Sequence, residues 1–73
     1  MNSITNMRDL GAYVADVRKR QGVTQLELSQ AAMVGRRYIV ELENGKETLQ
    51  AGKLLKVLAV LGIGLDLIDP RGI

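Results

Sequence analysis

A chain of 73 residues without a single cysteine or histidine has no disulfide and no Cys/His metal site to staple it. Those are the usual supports of very small domains. Catalytic triads built on a histidine base are excluded with them. What remains is one hydrophobic core, which at this length stabilises only marginally and is commonly supplemented by oligomerisation. Residues 1–73 are therefore read as a single domain. With two tyrosines and neither Phe nor Trp, the core has to come from Leu, Val, Ile, Ala and Met. Such side chains suit closely packed helices.

The hydrophobic spacing predicts four helices. The first runs roughly from Asn6 to Gln21, with Met7, Leu10, Val14 and Val17 on one face. Asn6 and Asp9 resemble a capping box, and Gly22 ends the segment. The second runs from about Gln25 to Ala32. Thr24 and Glu27 form a T-x-x-E capping box in front of it, and Leu28, Ala31 and Ala32 make its inner face. The third spans about Arg36 to Asn44, with Ile39 and Leu42 inward, Val34 beneath them and Gly45 as the stop. The fourth spans about Gln50 to Leu61. Leu54, Leu55, Val57, Leu58 and Leu61 make it apolar over more than half its circumference, so it is either central or shared with a second chain.

After Gly62 the period changes to two. Ile63, Leu65 and Leu67 alternate with Gly64, Asp66 and Ile68, which predicts a strand over residues 63–68 ended by Asp69-Pro70. A lone strand in a helical chain leaves its backbone groups unpaired. Pairing of two copies across a two-fold axis resolves this. A fifth short helix or a frayed tail are the alternatives.

The net charge of +2 is too small to identify a polyanionic partner, so the placement of charge carries the argument. Basic residues cluster at Arg18-Lys19-Arg20, Arg36-Arg37, Lys46 and Lys53/Lys56. A helix, a three-residue turn and a second helix over about 24–44 are the parts of a helix-turn-helix, in which the N-terminal end of the second helix enters the major groove. Arg36 and Arg37 lie at that end, and arginine can donate two hydrogen bonds to guanine O6 and N7. Val40, one turn on, can touch a thymine methyl. The same arginines would also suit an ordinary solvated face. The N-terminus lacks the apolar core of a signal peptide, and the C-terminal apolar run is too short and too interrupted to span a bilayer. A cytoplasmic protein with no membrane partner is expected.

The stretch TQLELSQAAMVGRRYIVELENGK resembles the lambdoid phage repressor and Xre-type helix-turn-helix family, whose pattern is near T-Q-x-E-L-A-x-x-x-G-V-S-x-x-x-I-x-x-x-E-N-G-K. Thr24, Gln25, Glu27, Leu28, Val34, Ile39, Glu43, Asn44, Gly45 and Lys46 match it. LLKVLAVLGIGLDLID is similar to the end of HipB-type antitoxins within that family. The resemblance implies an all-α, lambda-repressor-like domain of four main helices with a short C-terminal strand paired across a homodimer. It implies base reading by Arg36, Arg37 and Val40, and phosphate contacts by Gln25, Asn44 and Lys46. Arg18 and Glu43 match a structural ion pair, and Ile63, Leu65 and Leu67 fall on the dimer strand.

The function so implied is a repressor that binds a palindromic operator in double-stranded DNA. It would be the antitoxin of a HipBA-like operon, with a HipA-like kinase toxin as partner. A stand-alone Xre-type regulator of phage or restriction genes is the nearest alternative, and a protein-interaction module with an unused DNA face is the alternative of another class. No cofactor, metal site or enzymatic activity is expected. Asp66 and Asp69 have no base or metal cluster beside them, and Gly62-Ile63-Gly64 lacks the spacing of a phosphate loop. Three positions depart from the pattern. Met33 replaces the turn glycine, Gly35 replaces the serine cap, and Glu41 sits four residues after Arg37, where it can pair with it and compete with DNA.

Overall fold

The computed structural model describes residues 3–67. They form α1 (Met7–Arg20), α2 (Gln25–Ala32), α3 (Arg36–Glu43) and α4 (Ala51–Leu61). Local chemistry sets most of the boundaries. The Thr24 hydroxyl accepts from the Glu27 amide at 3.0 Å while the Thr24 amide donates to the Glu27 carboxylate at 2.9 Å, a complete capping box. The Thr24 amide, helped by the nearby Thr24 hydroxyl, holds the Glu27 carboxyl below its ordinary value. At the start of α1 only half of a box forms. The Asp9 amide donates to Asn6 Oδ1 at 2.8 Å, but the shorter Asp9 side chain takes the Asn6 side-chain amide rather than its backbone N–H. Gly35 and Gln50 precede α3 and α4 without a side-chain cap.

Each helix contributes to one core. Val14, Leu28, Ile39, Leu42 and Val57 have no solvent exposure, and Val17, Ala32, Leu58 and Leu61 complete the cluster. Met7, Leu10, Val34 and Leu54 pack around its edge. Two expectations need correction. The core is not wholly aliphatic, because Tyr38 is buried in it; its hydroxyl donates to the Gln50 carbonyl at 2.8 Å and so ties α3 to the start of α4. The inner face of α2 is Leu28, Ser29 and Ala32, with Ala31 exposed. At about 100° per residue, positions 28, 32 and 29 share one arc and position 31 falls outside it. Ser29 can be buried because its hydroxyl donates to the Leu26 carbonyl at 2.7 Å.

The strand expected over residues 63–68 is not present among the described residues. Positions 63–67 carry no regular structure, and Ile68 lies outside the described residues. A strand exists only through a ladder to a neighbour, and a single chain supplies none here. Ile63 instead folds back on the core, its amide donating to the Leu58 carbonyl at 2.9 Å, while Leu65 and Leu67 are exposed. Leu55 and Val60 leave part of α4's apolar surface uncovered as well.

Two glycines let the backbones of α1 and the end of α3 approach each other closely. Gly11, buried in the middle of α1, lies against the end of α3, and a Cβ there would collide with the Leu42 carbonyl oxygen. Gly45, at φ +81°, lies against Arg8 of α1 in the same way, with 2.7 Å between an added Cβ and the Arg8 Cα. Mid-helix glycine is unfavourable on propensity alone, so the close packing accounts for Gly11. Gly11→Ala should therefore destabilise the domain by about 1–3 kcal/mol through overpacking, read as a lowered midpoint in urea denaturation. A midpoint equal to the parent's would mean that α1 and α3 are not in backbone contact.

Candidate nucleic-acid interface

The angle between α2 and α3 is set by the turn at residues 33–35. Met33 adopts the left-handed conformation, φ 57° and ψ 42°, in which the Val34 amide donates to the Ser29 carbonyl at 3.0 Å. A non-glycine residue there costs roughly 1–2 kcal/mol. The turn thus keeps the backbone shape that the missing glycine would favour. Its side chain is 84% exposed and packs on nothing that would explain the choice.

That turn delivers Arg36 and Arg37 to the first turn of α3, both exposed. Arg36 borders a shallow groove with Gln25, Leu26, Thr24 and Lys19. The basic triplet at the end of α1 is split by helical rotation into three environments. Arg18 is buried, Arg20 pairs with Asp16 at 2.9 Å, and Lys19 is exposed and lines the same groove as Arg36. Lys19 is therefore a basic neighbour of the groove that reading the triplet as a unit missed. A count of 100° per residue would have separated the three.

Behind the groove lies a nearly solvent-free charge cluster. Arg18 Nε donates to Glu43 Oε2 at 2.6 Å and Nη2 to Oε1 at 3.0 Å, with side-chain exposures of only 10% and 7%. Arg18 Nη1 donates to the Val23 carbonyl at 2.9 Å, and Gln25 Nε2 donates to Glu43 Oε1 at 3.1 Å. The hydrogen bond to Glu43 raises the Arg18 pKa further above its already high ordinary value. One cluster thereby ties the end of α1, the start of α2 and the end of α3. Gln25, at a position where a phosphate contact was expected, gives one of its two amide hydrogens to this brace.

At the other end of α3, Asn44 is exposed as the C-cap and Lys46 follows Gly45. Lys46 Nζ is 3.0 Å from Glu41 Oε2, and Arg37 Nε is 3.6 Å from the same oxygen. The Lys46 hydrogen bond, with the nearby charges of Lys46 and Arg37, holds the Glu41 carboxyl below its ordinary value. Val40 is half-buried beside this group. Ile63 and Leu65 lie elsewhere, lining a groove with Ile4, Tyr13 and Leu58 that runs along α1 and the end of α4. No described helix is long and apolar enough to cross a membrane.

Comparison with known proteins places this geometry in context. The family model for the helix-turn-helix matches residues 14–68. The HTH-type transcriptional regulator y4mF of Sinorhizobium fredii is 52% identical over 62 residues, which cover 85% of this chain and 82% of that protein. A structure of HipB in its O1–O2 complex superposes with a TM-score of 0.85 at 25% identity, covering 94% of this chain and 100% of that one. HipB in a HipA–HipB–O2–O3 complex gives 0.86 at 24% identity, covering 96% and 99%. SinR, a master regulator for biofilm formation solved in complex with DNA, gives 0.68 at 30% identity over 75% of this chain and 89% of its own.

The charge cluster makes a stability prediction. Glu43→Ala leaves Arg18 buried without its carboxylate and should cost roughly 3–5 kcal/mol, measured by chemical denaturation. Arg18→Met combined with Glu43→Leu should cost much less, because no unpaired charge remains. Equal losses in the single and double variants would mean that the pair is not desolvated.

Proposed function

We propose a function from one premise: the chain belongs to the Xre-type helix-turn-helix family of transcriptional regulators. We infer that it is a sequence-specific repressor that binds a palindromic operator as a homodimer and controls its own operon. The observation that carries this reading is the pair of adjacent, exposed arginines in the first turn of the second helix of the motif. With α3 in the major groove, Arg36 and Arg37 reach guanine edges and Val40 reaches a thymine methyl. Gln25, through the amide hydrogen that Glu43 leaves free, meets phosphate together with Asn44 and Lys46, and these contacts fix register and make affinity salt-dependent. Two copies would set their α3 helices about 34 Å apart, one helical turn of DNA.

The likeness to HipB along nearly the whole chain supports the antitoxin branch, and for that branch we infer a HipA-like kinase as toxin partner. A kinase-like reading frame beside this gene would favour that branch, and its absence would favour a stand-alone regulator. The dimer reading is supported by apolar residues left in solvent at Leu55, Val60, Leu65 and Leu67.

Two experiments test the reading. Titrated against the DNA upstream of its own gene and against an unrelated duplex, the protein should prefer the former. Arg36→Ala with Arg37→Ala should lower that specific affinity by at least about thirtyfold, since each bidentate contact carries roughly 1–3 kcal/mol. Equal binding of both duplexes by the parent, or an unaffected double variant, would leave a protein-interaction module as the better reading. Leu65→Pro should convert the dimer to monomer in sedimentation, because proline removes a ladder hydrogen bond. An unchanged dimer would mean that another surface holds the copies together.

A further inference from the structure

We propose that Glu41 is a positioning residue that sets sequence specificity: it aims Arg37 at a base edge and makes any phosphate compete with it for Arg37 and Lys46. The inference rests on the DNA-binding reading above. Its starting point is which atoms meet. Glu41 Oε2 approaches Arg37 through Nε, at 3.6 Å. Both terminal nitrogens of the guanidinium are left open, and these are the donors that meet guanine O6 and N7 together. The Arg37 side chain is otherwise 89% exposed. An arginine free in solvent must give up its rotamer freedom when it binds a base. A carboxylate one turn along the helix restrains it beforehand.

The same oxygen holds Lys46 Nζ at 3.0 Å. A phosphate approaching either cation meets an anion already in place and must displace it. Non-specific binding consists almost wholly of such phosphate contacts. Base readout by the open fork of Arg37 does not require Glu41 to leave, so the specific complex displaces the carboxylate from Lys46 alone, and the non-specific one from both cations. The carboxylate therefore penalises the wrong complex more than the right one, a form of discrimination by repulsion. Competition between Glu41 and DNA is thus directed at phosphate, not at the base edge. The two cations keep the carboxyl below its ordinary value, so it is ionised at neutral pH. Both ion pairs are solvent-exposed, a setting in which such pairs contribute little to folding.

The test compares the parent with Glu41→Gln, which keeps shape and removes charge, on the upstream DNA and on an unrelated duplex across a salt series. Glu41→Gln should bind the unrelated duplex about three- to tenfold tighter at low salt, with a log–log salt dependence steeper by about one counterion. Its preference for upstream DNA should fall about tenfold, with an unchanged melting temperature. In an Arg37→Ala background, Glu41→Gln should no longer alter discrimination between guanine-bearing and guanine-substituted sites. If the parent prefers its upstream DNA and Glu41→Gln leaves ratio and slope unchanged, the role of Glu41 is overturned and the DNA reading stands. A parallel loss on both duplexes with a lower melting temperature would make Glu41 a structural residue and equally overturn it. If the parent itself shows no preference, the DNA reading and this inference fall together.

Discussion

Arg18 and Glu43 meet with almost no water around them, and the geometry of the helix-turn-helix depends on that meeting. Taking two charges out of solvent is costly unless each has a full set of partners. Here the guanidinium satisfies Glu43 through two nitrogens and the Val23 carbonyl through the third, while Gln25 supplies a further donor to the carboxylate. Among the described residues no buried side-chain polar atom lacks a partner. The cluster has one good arrangement, and that arrangement holds α1, the entry to α2 and the end of α3 at fixed separations. An apolar contact of the same size would tolerate sliding.

The cluster works because α1 can come close enough to α3. Gly11, Val14 and Arg18 recur at helical spacing on one face of α1, and all three are buried. Gly11 admits the α3 backbone, Val14 enters the core, and Arg18 reaches Glu43. With no cysteine to form a disulfide, these contacts, the Thr24–Glu27 box and the Tyr38–Gln50 hydrogen bond take over the part that a staple plays in other small domains. The result is a rigid support behind two exposed arginines. Arg37 itself stays on the surface, in an ion pair with Glu41.

The helices and their order were legible in the sequence because caps, glycine stops and 3.6-residue periodicity are local signals. Asn6, Thr24 and Gly45 each act within a turn of their own position. The Arg18–Glu43 pair was reachable only through likeness to a known motif, since its partners are far apart in the chain. Tyr38 and Ser29 were misplaced or overlooked for a related reason. Whether a polar-tipped residue can be buried depends on a hydrogen-bond partner that composition does not reveal.

Four amphipathic helices, a short turn inside the motif and arginines at the head of the third helix could be read from the amino acids alone, because each of these follows from residues in local register. Which basic residues are paired, which are exposed, and which side chain lies against which backbone came only from the packing of the helices. Arg18 became a buried strut, Arg20 a surface pair, and Lys19 part of the groove that Arg36 lines. Gly11 became a contact point with α3, and Glu41 the shared anion of Arg37 and Lys46. Those assignments depend on distances between segments remote in sequence, and such distances exist only once the core has closed.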